Sequence, residues 1–162
     1  VKSIGVSIYE TEEARKGILR GDLDVLQLPY SMLDQRMLQS GIFALAMERR
    51  FPLHTRSAFI QGLVMMEPEE VPPFLREKAA PILKEVSGIC RETGLTRTQL
   101  SIGFVKQQSA VTHLVFGVRN MEQLKEDISA FQQGLSDGVM RELEKRFAHV
   151  EADIVMPSLW KK

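Results

Sequence analysis

The stretch His113–Asp127, HLVFGVRNMEQLKED, carries the local pattern that decides the fold. An apolar run ends in Gly-Val-Arg-Asn and passes directly into apolar residues at helical spacing. That order is typical of a strand, a tight turn and the start of a helix. Arg119 therefore lies beside the N–H groups of a helix that begins near Asn120, and both attract anions. The stretch predicts a strand–helix unit that holds a phosphate group.

The same order of strand and helix recurs along the rest of the chain. Four short apolar runs occupy residues 2–9, 24–31, 52–62 and 111–118. Helical patterns occupy residues 11–21, 35–51, 69–94, 96–108, 120–134 and 139–150. The apolar runs are continuous rather than alternating, as burial on both faces of a parallel sheet requires. The sequence predicts an α/β fold of about four parallel strands with flanking helices.

Several helix starts and faces follow from local residues. Thr11 is the expected N-cap of the first helix, and reciprocal capping boxes are expected at Thr96–Gln99 and Asn120–Gln123. The segment 35–51 predicts one helix with apolar residues at helical spacing: Leu38, Ile42 and Leu45. The helix that follows the last strand places four apolar residues on one face: Met121, Leu124, Ile128 and Phe131.

Composition excludes several classes of protein. The 162 residues contain 21 Lys plus Arg and 21 Asp plus Glu, a balance that gives no reason to expect a nucleic-acid partner. No apolar run approaches the roughly 20 residues needed to cross a bilayer, so no membrane association is expected. Cys90 is the only cysteine, which favours a reducing, cytoplasmic setting. Because the chain opens at Val1 inside a strand-like run, we expect a processed product or a piece of something longer.

Polar residues follow the predicted strands where ligands of parallel α/β folds gather. They are Ser7, Gln27, Arg56 with Ser57, and Gly117 with Arg119. Each also has a structural interpretation, Ser7 as a turn residue and Arg56 as a surface cation. The three histidines lack metal-ligand spacing, and the chain contains no Gly-x-Gly-x-x-Gly, Walker loop or Gly-x-Ser-x-Gly.

Four segments together resemble the aldo-keto reductases. They are IGVSIY (4–9), DVLQLPYSMLDQR (24–36), RSAFIQGLV (56–64) and FGVRNMEQLKED (116–127). In order, they resemble the fifth to eighth strand regions of that family's (β/α)₈ barrel. The closing ADIVMPSLW resembles the C-terminus of some members. The resemblance implies one half-barrel domain over residues 1–162.

The resemblance also implies a binding site for NADP(H) made of ten residues. Ser7 and Gln27 match residues that hold the nicotinamide carboxamide, and Arg56 matches a residue packed near the ring. The loop along the pyrophosphate is matched by Ser57, Phe59, Gln61 and Gly62. The site of the adenosine 2′-phosphate is matched by Gly117, Arg119 and Gln123. Two departures are Asp127 and Ile8, where asparagine is common in the family.

The resemblance does not extend to the catalytic residues of the family. An Asp, a Tyr, a Lys and a His carry the chemistry on the first half of the barrel, whereas this chain resembles the second half. No catalytic residue is therefore assigned, and Tyr9 and Tyr30 lie in other contexts. We expect the NADP(H)-binding half of a reductase, without activity of its own. The alternatives are a non-catalytic nucleotide-binding or interaction module, and a truncated reductase.

A half-barrel is expected to associate with itself. A (β/α)₈ barrel takes about 250 residues, so four strand–helix units cannot close one. The sheet would keep two open edges and bare apolar surface, and both promote association. We expect a homodimer or a higher assembly through these edges.

Overall fold

A computed structural model describes residues 1–160, so the last two residues of the expected domain, 161 and 162, lie outside the described part. Its centre is a parallel four-stranded sheet whose strand order follows the chain. The strands are β1 (Gly5–Ser7), β2 (Val25–Pro29), β3 (Leu53–Arg56) and β4 (Val111–Leu114). The predicted α/β class with about four parallel strands and flanking helices is confirmed, and the sheet is open.

Helices connect the strands and extend the chain beyond them. They are α1 (Thr11–Arg20), α2 (Arg36–Gln39), α3 (Ile42–Arg49), α4 (Pro73–Thr93), α5 (Arg97–Lys106), α6 (Met121–Gln133), α7 (Asp137–Arg146) and α8 (Ala152–Val155). Short 3₁₀ segments cover Ile60–Met65 and Pro157–Leu159. Within residues 1–160, no helix combines the length and the apolar character needed to cross a membrane.

The helix predicted over residues 35–51 is wrong as one continuous element. It is divided into α2 and α3 at Ser40 and Gly41, and Gly41 has φ 75°. Glycine adopts this left-handed conformation without the steric cost that a side chain imposes. The apolar spacing continues across the break, which is why periodicity alone did not reveal it.

Helix caps match the sequence predictions in one of three cases. The Thr96–Gln99 box is confirmed, since each side chain accepts a hydrogen bond from the other residue's backbone N–H. Asn120 caps α6, but Gln123 Oε1 accepts from the N–H of Arg119 at 3.0 Å, so that box is not reciprocal. Thr11 is not an N-cap. Glu10 holds that position, and its N–H donates to Glu13 at 3.1 Å.

Within residues 1–160 the helices cover only one face of the sheet, so the expected burial on both faces is not observed there. Leu26, Leu28 and Leu53 lie on the covered face and are fully buried. We call the opposite face the open face. It carries one register row of side chains, Ser7, Gln27, His54 and His113, none of which is buried. A sheet that does not close leaves this face without a second layer.

Apolar side chains are exposed at both edges of the sheet. On β1, Val6 is 45% exposed, and beyond β4, Val115 is 41% exposed. The four residues predicted to share one face of α6 form what we call the α6 apolar face: Met121, Leu124, Ile128 and Phe131. All of these except the half-buried Leu124 are exposed, whereas Asp127 and Ala130 of the same helix are buried.

Candidate functional site

A cavity of about 860 Å³ opens at the carboxyl ends of β3 and β4. Eight of the ten predicted site residues line it: Arg56, Ser57, Phe59, Gln61, Gly62, Gly117, Arg119 and Gln123. An adjoining cavity of about 390 Å³ shares Arg119 and Gln123 and extends along α6 to Asp127. Residues far apart in the chain therefore meet at one end of the sheet, where parallel α/β folds bind ligands.

The other two predicted residues, Ser7 and Gln27, do not line either cavity. Ser7 Oγ donates to Gln27 Oε1 at 3.2 Å, and Arg56 Nε donates to Ser7 Oγ at 3.3 Å. On the open face, Gln27 lies on β2, the neighbour of β3, and Ser7 lies on β1, one strand further away. Both are linked to the larger cavity through Arg56. The structure thus joins all three in one hydrogen-bonded chain.

The guanidinium of Arg56 is held by several partners. It donates to the Ile8 carbonyl at 3.1 Å and to Ser57 Oγ at 3.3 Å. It also lies 4.2 Å from the ring centroid of Tyr9, a cation–π contact. Sequence reasoning did not assign Tyr9 to the site. Its position in the sequence could have identified it, because Tyr9 follows Ser7 by two residues and therefore lies at the same end of the sheet.

The loop after β3 holds an unusual backbone conformation. Ser57, Ile60 and Gln61 have φ of 67°, 49° and 53°, and Gly62 follows at 89°. For residues other than glycine this region costs about 1–2 kcal/mol each, and such costs concentrate at functional sites. The loop forms one wall of the larger cavity with its backbone fixed in this shape.

Arg97 contacts the segment that directly follows this loop, and the sequence did not identify it as a site residue. The Arg97 guanidinium donates to the carbonyls of Val64 and Met66 and to Ser87 Oγ of α4. It also pairs with Glu67 at 3.0 Å. Arg97 is the first residue of α5, so the loop conformation depends on how α4 and α5 pack.

The corner around Arg119 combines this cation and a helix N-terminus with two acids, Glu122 and Glu126, that line the smaller cavity. Arg119 directly precedes the N-cap of α6, and within residues 1–160 it makes no ion pair. A Cβ placed on Gly117 would meet no atom within 4 Å, so the space beside it is open to a ligand. Gln123 Oε1 accepts from the Arg119 N–H, and its amide NH₂ donates to no group in the described part of the chain.

Asp127 is the most unusual side chain in the smaller cavity. It is 1% exposed, and its Oδ2 has no hydrogen-bond partner among residues 1–160. Burial raises the pKa of this carboxyl, and the charge of Glu126 raises it further. A buried acceptor without a partner is costly, so Asp127 favours a ligand group that donates a hydrogen bond.

Two histidines meet on the open face. The rings of His54 and His113 lie with centroids 4.5 Å apart on neighbouring strands. Burial lowers the pKa of His54, and the charge of His113 lowers it further. No group of three or more His, Cys, Asp or Glu residues in the described part of the chain forms a candidate metal site.

The pattern of the aldo/keto reductase family matches residues 1–146. The chain belongs to this family. Among curated proteins, it is 25% identical over 159 residues to the NADH-specific methylglyoxal reductase of Escherichia coli (strain K12), covering 88% of this chain and 48% of that protein. It is also 25% identical over 143 residues to the pyridoxal 4-dehydrogenase of Microbacterium luteolum, covering 85% and 42%.

A solved aldo/keto reductase shares the fold. The match to the holo form of the aldo-keto reductase AKR11C1 from Bacillus halodurans covers 96% of this chain and 52% of that chain, with a TM-score of 0.70 and 18% sequence identity. The chain therefore spans about half the length of the relatives and of the structure that it matches. The size of the larger cavity is ordinary for a cofactor site, and its two arginines suit an anionic nucleotide.

Proposed function

We propose that this chain is the NADP(H)-binding half of an aldo/keto reductase, corresponding to the fifth to eighth strand regions of the barrel. The observation that carries the proposal is the larger cavity, which eight of the ten residues implied by the family resemblance line. When bound, the nicotinamide cofactor supplies the hydride for carbonyl reduction. The residues of this chain bind and orient it, and they do not perform the reduction on their own.

Each part of the cavity has a proposed role. Arg119 and the N-terminal N–H groups of α6 bind the adenosine 2′-phosphate, with the amide NH₂ of Gln123 beside them. The loop from Ser57 to Gly62 lies along the pyrophosphate. Ser7 and Gln27 bind the carboxamide, which requires them to exchange their mutual hydrogen bond for bonds to the ligand. Arg56 packs near the nicotinamide ring.

The choice between NADP(H) and NAD(H) depends on Arg119. A cation at a helix N-terminus favours the extra phosphate of NADP(H). The E. coli relative is named for NADH, which makes NADH the competing cofactor. Only the 2′-phosphate distinguishes the two cofactors, so replacing Arg119, the side chain proposed to bind that phosphate, tests the cofactor preference directly.

The test is calorimetric titration of the chain with NADPH and with NADH. We expect tighter binding of NADPH and a loss of about 10- to 100-fold in Arg119→Ala, the range for charge-assisted hydrogen bonds of roughly 1.5–3 kcal/mol. NADH affinity should change little. Arg141→Ala removes an exposed arginine that lines neither cavity and is the matched control. Equal affinity for both cofactors contradicts the assignment of Arg119.

Catalysis is tested separately, with methylglyoxal and NADPH and the loss of NADPH absorbance as the readout. We expect no turnover above the uncatalysed rate, because the residues that carry the family's chemistry lie in the half that this chain does not resemble. Turnover in the range of ordinary enzymes, about 1–1,000 per second, contradicts the proposal.

The second candidate function is a nucleotide-binding or interaction module in its own right. This candidate predicts binding without turnover even when the complementary half of a reductase is added. A cytoplasmic location is part of this proposal, because the chain has a single cysteine and a reducing setting is therefore favoured.

A further inference from the structure

We infer, on the basis of the function proposed above, that Arg56 makes this site bind the reduced nicotinamide cofactor more tightly than the oxidised one. The proposed function places Arg56 near the nicotinamide ring. That ring is neutral in the reduced cofactor and positively charged in the oxidised cofactor, whereas the rest of the molecule is the same in both. A cation fixed beside the ring therefore repels only the oxidised form.

Neutral partners fix the position of the Arg56 side chain at the carboxyl end of β3. Its three guanidinium nitrogens donate to three oxygens: Nε to Ser7 Oγ at 3.3 Å, Nη1 to Ser57 Oγ at 3.3 Å and Nη2 to the Ile8 carbonyl at 3.1 Å. Hydroxyl and carbonyl groups carry no net charge, so these bonds hold the cation in place without neutralising it. Arginine keeps its charge throughout the physiological pH range, so the cation is permanent.

The ring of Tyr9 packs against the guanidinium of Arg56. The ring centroid lies 4.2 Å from Arg56 Cζ, which is within the range of a cation–π contact. Arg56 lines the larger cavity, whereas Tyr9 does not. A ligand in the cavity therefore meets the cation rather than the tyrosine ring. A planar guanidinium stacks on a flat ring as an aromatic side chain does, but it also brings a charge.

The second arginine of the cavity acts on a different part of the ligand. Arg119 precedes the N-cap of α6, where the proposed function places the adenosine 2′-phosphate. Both redox forms of NADP(H) carry that phosphate, so Arg119 contributes equally to the binding of both. The two arginines therefore have separable effects. Arg119 sets how tightly NADP(H) binds, and Arg56 sets which redox form binds more tightly.

The size of the expected preference follows from Coulomb's law. For two unit charges about 5 Å apart, repulsion weakens binding by about 4-fold in water and by roughly a few hundredfold at the effective dielectric constant near a protein surface. Arg56 is only half-buried, so water screens part of this interaction. We therefore expect NADPH to bind about 10-fold more tightly than NADP⁺.

Calorimetric titration of the chain with NADPH and with NADP⁺ measures this preference. Arg56→Gln removes the charge and keeps a hydrogen-bonding side chain, so the ratio of the two dissociation constants should fall from about 10 to about 1–2. Arg56→Lys keeps a positive charge and should keep most of the preference. Arg119→Ala, in the same cavity, is the matched control and should weaken the binding of both forms without changing their ratio.

A third ligand separates the charge of the nicotinamide ring from its shape and needs no variant. Tetrahydro-NADP has a neutral ring that is not planar, and it cannot transfer a hydride. We expect it to bind to the unmodified chain about as tightly as NADPH does. An affinity close to that of NADP⁺ would mean that a feature other than charge causes the preference, and it would overturn the inference.

The outcomes separate this inference from the proposed function. Equal affinity for NADPH and NADP⁺ in the unmodified chain overturns the inference but leaves the proposed cofactor site intact. An unchanged ratio in Arg56→Gln also overturns it, because another group then causes the preference. Binding of neither form overturns the proposed function and the inference together.

Discussion

The central strands and the edge strands of this sheet differ sharply in what surrounds them. On β2 and β3, the side chains that face the helices, Leu26, Leu28 and Leu53, are fully buried. On β1, Val6 on the same face is 45% exposed, and Val115 just beyond β4 is 41% exposed. The sequence of the edges is as apolar as that of the centre. The difference therefore lies in the neighbours, because the described residues place a strand on both sides of β2 and of β3 but on only one side of β1 and of β4.

The largest expected effect tests this contrast directly. Leu28→Ala should lower the free energy of unfolding by about 2–5 kcal/mol, because it removes buried atoms and leaves a cavity. Val6→Ala should cost no more than about 0.5 kcal/mol in dilute protein, as for an exposed position. Urea unfolding at fixed protein concentration measures both. Equal costs for the two variants in dilute protein would mean that the edge is already packed, contrary to the exposed fractions.

A smaller effect compares two helical glycines, one with no space for a Cβ and one with open space beside it. A Cβ on Gly103 of α5 would lie 2.7 Å from Leu135 Cγ, whereas a Cβ on Gly88 of α4 would meet only Arg91 Nη2 at 4.0 Å. We expect Gly103→Ala to destabilise by about 1–3 kcal/mol through overpacking. Gly88→Ala should stabilise by about 0.5–1 kcal/mol, because glycine weakens a helix interior. Thermal melts of the two variants give the signs, and the same sign in both would contradict the packing around Gly103.

The smallest expected effect concerns pH and compares His54 on β3 with the exposed His149. The pKa of His54 is lowered in the folded chain, chiefly by burial. The unfolded chain therefore binds a proton more readily, and stability should fall as the pH drops through about 6.5, the ordinary pKa of histidine. Urea unfolding at pH 7.5 and at pH 5.5 should show a smaller difference in His54→Gln than in the unmodified chain. His149→Gln, at an exposed residue, should keep the original response, and an unchanged response in His54→Gln would contradict the effect.

The sequence predicted the class and the element order because these depend on local patterns, whereas the family resemblance implied four of the residues that line the larger cavity: Phe59, Gln61, Gly62 and Gln123. Apolar runs and capping residues specify strands and helix starts within a few neighbours, and Thr96–Gln99 is the clearest case. The strand ends then brought Arg56, Gly117 and Arg119 to one cavity, as parallel topology dictates.

The remaining features depend on contacts that no local pattern contains. The spacing of the α6 apolar face is that of a packed helix, but Met121 and Ile128 remain exposed among the described residues. The meeting of His54 with His113 needs the register of β3 and β4, which sequence spacing does not give. Arg97 braces the cavity loop from α5 through contacts with carbonyls about 30 residues earlier in the chain. The burial of Asp127 follows from the face that α6 presents to α5.

The agreement between strand order and chain order has a consequence for how the molecule forms. Each strand pairs with the next one in the sequence, although the connection from β3 to β4 runs through both α4 and α5. The sheet can therefore add its strands in the order of the chain, and its folding is an intramolecular, first-order process. Refolding should then proceed at a rate that does not change when the protein is diluted.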